Sequence, residues 1–341
     1  MNANVSELVR EWDDALLRTH GNEAFEKVYE RLLFSALHSF GQYLPTVSSE
    51  RMPFEQRLAS WIGALASHGN CQRILLELAE RLIFLSREDF DKLHHAALVG
   101  PVSRWLIDLQ ALTFNAPDFD TRLKEAVHDS TWYCGLSDSM AIADFHHVNN
   151  IGGVDYRPDV RSLARFSSAD TVVKFMQSHK RGNHACPLRG LVVLEDFIGS
   201  GSQLSDAARL IEDICKGGVP CLLLPLIICP EGDTLARDLV ARCGGKLRYE
   251  PLLSLRAEEF VTPGVVVGES KFRTNVRRLV HATYSAVKGT GTGVRPYSPF
   301  GFRDTGALVV MFSNTPANTL SLVQHESDTW QPLFPRSARV R

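Results

Sequence analysis

Two patterns of apolar and polar positions divide this chain. Through residue 125, apolar side chains recur at i, i+3, i+4 and i+7. Leu8, Trp12, Ala15 and Leu16 mark one face, and Phe25, Val28, Leu32, Leu33, Ala36 and Phe40 the next. Phe54, Leu58, Trp61, Ile62 and Leu65 mark a third, and Ile74, Leu75, Leu78, Leu82 and Leu85 a fourth. This spacing predicts amphipathic helices. Gly21-Asn22, Gly41 and Gly69-Asn70 fall where such helices end. Ser86-x-x-Asp89 is a capping-box start for a fifth helix, which Gly100-Pro101 is expected to break.

From residue 126 the pattern changes to short continuous apolar runs. These are TWYCGL (131–136), LVVLE (191–195), CLLLPLIIC (221–229), KLRYEPL (246–252), GVVVG (264–268) and ALVVMF (307–312). The stretches 203–216 and 233–242 between them read as helices. Continuous apolar strands alternating with helices predict a mostly parallel sheet covered on both faces. The expected architecture is α/β: a mostly parallel sheet flanked by helices over 126–341, preceded by an α-helical region over 1–125. The helical region is either a layer packed on the rest or a partner-binding module. The glycine-, proline- and aromatic-rich segment 288–305 reads as a long surface loop, either a lid or inert.

Composition narrows the function classes. With 341 residues, 44% hydrophobic and 22% charged, the chain can bury a large core. A net charge of −2 gives no bulk basic field for nucleic acid or anionic membrane. The most apolar segment, VPCLLLPLIICP, is too short and too proline-broken to span a bilayer. Seven cysteines without a C-x-x-C pair favour a reducing compartment. The N-terminus lacks a signal-peptide layout, so the expected location is cytoplasmic. The pairs His94-His95 and His146-His147 are adjacent in sequence. Their side chains diverge by about 100° on a helix and do not converge on one metal ion.

The chemistry concentrates in residues 191–203, LVVLEDFIGSGSQ. An apolar run ends in Glu195 and Asp196. Gly199, Ser200, Gly201, Ser202 and Gln203 follow, and then a helical pattern. This reads as strand, phosphate-cradling turn and helix. Small residues let the backbone approach an anion, and a helix start offers free N–H groups at the positive end of its dipole. Paired carboxylates are acceptor-only groups that suit a sugar diol. A phosphate beside a diol describes a ribose 5-phosphate. Equally, strand, glycine turn and helix recur throughout α/β proteins, and acids at a strand end can cap the helix. No Gly-Lys-Ser/Thr closes the turn, so it is not a Walker A loop. The acids precede the glycines, which makes it a poor dinucleotide fingerprint.

This segment resembles the signature of type I phosphoribosyltransferases. The resemblance implies that Glu195 and Asp196 hold the ribose hydroxyls of phosphoribosyl pyrophosphate (PRPP), or of a nucleotide. Gly199, Ser200, Gly201, Ser202 and Gln203 would hold its 5-phosphate. Magnesium would arrive with the pyrophosphate, held by substrate oxygens and water rather than by a protein cage. Ser200 and Gln203 stand where threonines are usual, and Gly199 where some members carry an acid as catalytic base. By order along the chain, Ser137, Asp138 and Ser139 are the candidate pyrophosphate loop, or an ordinary helix cap. Arg157, Arg161 and Arg165, spaced by four, supply charge to a pyrophosphate or form a solvated face. Lys180-Arg181-Gly182-Asn183-His184 is a candidate mobile basic loop.

The end of the chain is similar to a group of bacterial phosphoribosyltransferase-like proteins found in conflict and antiphage-defence operons, some with reverse transcriptases. The match lies in Thr315-Pro316-Ala317-Asn318-Thr319 and the closing Trp330-Gln331-Pro332-Leu333-Phe334-Pro335-Arg336. Asn314, Thr315 and Asn318 are candidate base or lid contacts, or a polar turn after the last strand. The resemblance implies a defence effector that binds PRPP or a nucleotide and acts at ribose C1, with protein partners from the operon. The rival expectation is a non-catalytic nucleotide sensor or interaction subunit.

Overall fold

The computed structural model describes residues 4–17, 25–43, 52–65, 69–152, 162–181, 184–291 and 296–337. Helices α1 (Val5–Leu17), α2 (Phe25–His38), α3 (Phe54–Gly63) and α4 (Gly69–Glu80) precede strand β1 (Ile83–Leu85). Next come α5 (Arg87–Ala97), α6 (Ser103–Leu109), α7 (Phe119–Asp129), β2 (Thr131–Gly135), α8 (Ile142–Val148) and α9 (Ala169–Ser178). The hairpin strands β3 (Lys180–Arg181) and β4 (His184–Ala185) lead to β5 (Gly190–Ile198), α10 (Ser202–Lys216), β6 (Cys221–Ile228) and α11 (Pro230–Arg242). Then follow β7 (Leu247–Tyr249), β8 (Leu253–Ser254), α12 (Lys271–Lys288), β9 (Val309–Met311) and α13 (Ser321–Gln324). The protein is thus a mixed α/β fold with mostly parallel sheets flanked by helices and a helical N-terminal region.

Two compact units divide the chain at 87/88 and 256/257: residues 88–256 form one, and 1–87 with 257–341 the other. In the first, β2, β5, β6 and β7 run parallel in that order, and β8 pairs with the far end of β6. Every residue of β2, β5 and β6 is buried, as expected of strands covered on both faces. Trp132, Cys134, Leu191, Val193, Cys221 and Leu223 pack with α9, α10 and α11. On the opposite face Tyr133 meets Phe145 and His146 of α8. The run 246–252 continues as one edge along β6, because Glu250 N–H reaches Leu223 O and Leu252 N–H reaches Pro225 O, each at 3.1 Å.

The second unit joins both ends of the chain. β1 and β9 pair in parallel, with Ile83 opposite Val309 and Leu85 opposite Met311. Leu58, Trp61, Ile62, Leu75, Val276 and Phe334 share its core. The rings of Phe40, Tyr43, Phe54 and Phe84 surround Phe334 at centroid distances of 5.5, 5.2, 5.9 and 5.7 Å. The Nε1 atoms of Trp61 and Trp330 both donate to Leu322 O at 2.9 Å. The closing tryptophan and Leu-Phe-Pro stretch is therefore core material.

Three expectations from the pattern differ from the structure. Leu82 and Leu85 fit the spacing of the fourth helix, yet α4 stops at Glu80 and Leu85 belongs to β1. A parallel partner in β9 captures the β-favouring Ile83-Phe84-Leu85. Gly100-Pro101 does not break the fifth helix. Leu98–Val102 widens into a π turn and α6 continues from it. Pro101 donates no backbone hydrogen bond, and Ser103 Oγ donates to Leu98 O at 2.7 Å across the widened turn. GVVVG forms no strand: Val265, Val266 and Val267 are 78%, 49% and 101% exposed in a loop. Arg277 of α12 ties the two ends of that loop together, donating to Thr262 O at 2.7 Å and to the Glu269 carboxylate. No helix among the described residues is long and apolar enough to cross a membrane.

Candidate functional site

β5 ends beside the carboxyl end of β2, so the residues after each strand meet there. Successive strand residues point to opposite faces, which separates Glu195 from Asp196. Glu195 is completely buried. Its Oε2 accepts the Ser137 N–H at 2.9 Å. Its Oε1 lies 2.6 Å from Ser137 Oγ and 2.8 Å from Ser139 Oγ. The two serine hydroxyls are 2.5 Å apart. Burial, and the charge of Asp196, push the Glu195 carboxyl up to about 8 from its ordinary 4.5. Asp196 is 8% exposed, and its Oδ1 accepts the N–H of Phe197 at 2.8 Å.

Gly199 and Gly201 are buried, Ser200 and Ser202 half-buried, and Gln203 exposed. Gly201 is the residue before α10 and has φ +76°. That left-handed conformation is costly for any residue with a side chain. Space is short as well: a Cβ at Gly201 would lie 2.4 Å from Leu235 Cδ1 of α11, so that side chain would have to move. α11 itself comes close only because Gly232 is bare, since a Cβ there would lie 2.6 Å from Ile198 Cγ2 and 2.9 Å from Gly199 O. The turn is thus fixed from below by two helices. As at any helix start, the first N–H groups of α10 lack intrahelical acceptors and carry the positive end of the dipole. The first turn of α10 holds no acid. Ser200 Oγ and Ser202 Oγ sit 3.0 Å apart above it. The arrangement can receive an anion.

The 137–139 loop is turned inward. Ser137 and Ser139 face Glu195, while Asp138 accepts Ser162 Oγ at 2.5 Å and Arg165 Nε at 3.0 Å. It does not cap α8, whose preceding residue is Ala141. Arg157, Arg161, Gly182 and Asn183 lie outside the described residues. Lys180 and Arg181 pair with Ala185 and His184 in the β3–β4 hairpin.

Asn314, Thr315 and Asn318 belong to the other compact unit, where their polar groups are engaged. Asn314 Nδ2 donates to Ser337 O at 3.0 Å, and its Oδ1 accepts the N–H groups of Thr315 and Ser337 at 3.0 and 3.2 Å. Thr315 Oγ1 lies 2.8 Å from Tyr43 Oη and donates to Phe334 O at 3.1 Å. Asn318 Nδ2 reaches Phe302 O at 3.2 Å and Thr305 Oγ1 at 2.9 Å. Here the TPxNT segment pins the closing stretch to the core.

A family model, PRTase-CE, matches residues 59–336. The chain belongs to the PRTase-CE family. Comparison with curated proteins and with solved structures finds no significant match. Membership of PRTase-CE makes this a phosphoribosyltransferase-like protein, and the matched span includes the acid doublet, the glycine turn and the TPxNT segment of this chain. Sequence reasoning missed Ser162 and Gly232 as parts of the site's frame. Ser162 gives no signal by itself. Gly232, a bare residue in the first turn of a helix that follows a buried strand, marks a close approach.

Proposed function

We propose that this protein binds PRPP or a nucleotide at the carboxyl end of β5 and acts at ribose C1, as an effector in bacterial antiphage defence. The observation that carries the reading is the Gly201 turn. A left-handed conformation that favours glycine, held against α11, opens the start of a 15-residue helix toward an anion shortly after an acid doublet. Residues 199–203 receive the 5-phosphate. Asp196 faces the ribose hydroxyls, with Glu195 buried beside it. Breaking the bond at C1 develops positive charge on the sugar, which a nearby carboxylate stabilises. Among the described residues no group of three His, Cys, Asp or Glu side chains converges to hold a metal. By the resemblance, magnesium would be carried by the pyrophosphate oxygens, where it would neutralise the leaving group. The operon setting and protein partners, including a reverse transcriptase in some relatives, rest on the resemblance of the chain's end to defence proteins, and the cytoplasmic location on the cysteine pattern.

The test is incubation with PRPP and magnesium, assayed for pyrophosphate release with and without nucleobase or protein acceptors. Release that disappears in Asp196→Ala supports an enzyme. A second reading, a nucleotide sensor without turnover, draws on Gly199 in place of a catalytic acid and on the sealed Glu195. It predicts saturable binding of a nucleoside monophosphate with no release. Absence of both binding and release defeats the two readings together.

A further inference from the structure

Three oxygens at the end of β5 form a closed ring. Glu195 Oε1, Ser137 Oγ and Ser139 Oγ are separated by 2.6, 2.8 and 2.5 Å. Each edge has the length of an O–H···O hydrogen bond and needs one proton lying on it. The two serine hydroxyls bring two protons, and an ionised carboxylate brings none. One edge of the ring would then set lone pairs against lone pairs. The neighbouring backbone donors do not fill that edge. Ser137 N–H goes to the other carboxyl oxygen at 2.9 Å, and Ser139 N–H goes to Ser137 Oγ at 3.2 Å. A protonated carboxyl supplies the third proton and lets each oxygen donate once and accept at least once.

We propose that Glu195 is a neutral carboxylic acid at neutral pH, and that Ser137 and Ser139 are positioning residues that hold its proton in a three-oxygen ring. The surroundings agree. Around Glu195, β5 contributes Asp196, a like charge. The β2 loop contributes Asp138, which is turned to Ser162 and Arg165. β6 carries no ionisable side chain between Cys221 and Cys229. Among the described residues the groups that act on its carboxyl are Asp196, Ser137 and Ser139, and full burial raises it. An uncompensated buried charge is costly, and the usual escape is to take up a proton.

The consequence for the ligand rests on the ribose-phosphate reading above. With Glu195 neutral, Asp196 is the single anion of the doublet, so a ligand rich in phosphate meets one negative charge fewer. Deprotonation empties one edge of the ring and adds a charge, so affinity for PRPP falls at alkaline pH. Ser139, which is half-buried, is the member of the ring nearest solvent.

Infrared titration of the ligand-free chain tests the ring directly. The carboxylic-acid C=O band that vanishes in Glu195→Gln is expected at pH 7 and should disappear at a midpoint no lower than about 8, since serines that hold the proton add to the effect of burial. A band already lost at pH 7 overturns the proposal. The direction of the shift in Ser139→Ala is a second discriminator. A ring that holds the proton predicts a midpoint lowered by about one unit, a tenfold change in dissociation. A raised midpoint means that Ser139 serves an ionised carboxylate, and defeats the ring. Should Ser139→Ala not fold, the comparison of wild type with Glu195→Gln still decides. Calorimetry with PRPP and magnesium is run separately: absent heat with the band intact sinks the ligand reading alone.

Discussion

Two clusters of small polar residues follow strands in this molecule, and they behave differently. After β9, Asn314, Thr315 and Asn318 match their donors and acceptors against Tyr43, Thr305, Ser337 and the carbonyls of Phe302 and Phe334. After β5, the turn 199–203 leaves helix-start N–H groups and serine hydroxyls around bare glycines, with Gln203 exposed. A polar motif whose hydrogen bonds close within its own unit is a folding device. One whose helix-start N–H groups lack intrahelical acceptors, on a left-handed turn that favours glycine, has the makings of a binding device. Both look alike as sequence: short polar runs beside a strand.

Substitutions can separate the two. The largest effect is expected for Gly201→Val. The left-handed backbone and the contact with Leu235 together predict a stability loss of about 2–5 kcal/mol, read by chemical denaturation. Loss of PRPP binding should accompany it. Thr315→Val comes next. It removes the hydroxyl that donates to the buried Phe334 carbonyl and one of the two contacts of the Tyr43 hydroxyl, which keeps Pro335 O at 2.7 Å, so denaturation should show a loss of about 1–3 kcal/mol. Ligand affinity should not change. If Thr315→Val weakens the ligand as much as Gly201→Val does, the contrast between the clusters is false.

Asp196→Asn sharpens the comparison from the other side. It should reduce PRPP affinity at least tenfold by calorimetry, about 1.4 kcal/mol, while the melting temperature barely moves. A large melting shift with unchanged affinity would make Asp196 structural instead.

The smallest effect is a slope with pH. Glu195 is raised from 4.5 to about 8 in the folded chain, so between these values the folded state binds the proton that the unfolded state has released. Its contribution to stability is complete below about 4.5 and is lost as pH rises toward about 8. Denaturation midpoints should fall over that window, and the fall should be shallower in Glu195→Gln. Glu269 gives the opposite sign. Arg277, with Thr274, holds its carboxyl down to about 2, so its contribution disappears as pH falls from 4.5 toward that value.

The sequence was most readable where one periodicity acted alone. LVVLE and CLLLPLIIC are buried on both faces, and their continuous apolar character announces β5 and β6. In the turn 199–203 the glycine at 201 is favoured by its left-handed backbone, φ +76°. GVVVG misled because β-favouring valines form a strand only beside a partner strand, and none among the described residues pairs with them. Leu82 and Leu85 misled because a helical spacing fits them by coincidence while β9 offers a parallel edge. That β9 returns to β1 is a pairing across more than 220 residues, and no local pattern encodes it. The serine ring on Glu195 was likewise hidden: Ser137 and Glu195 are 58 residues apart and meet only because β2 and β5 are neighbours.

The most direct test of the central claim is a calorimetric titration of PRPP with magnesium into three proteins: wild type, Gly201→Val and Thr315→Val. Saturable binding to wild type and Thr315→Val, abolished in Gly201→Val at a temperature where all three are folded, is the predicted outcome. Equal binding by all three proteins, or none by wild type, contradicts a ribose-phosphate site at the end of β5.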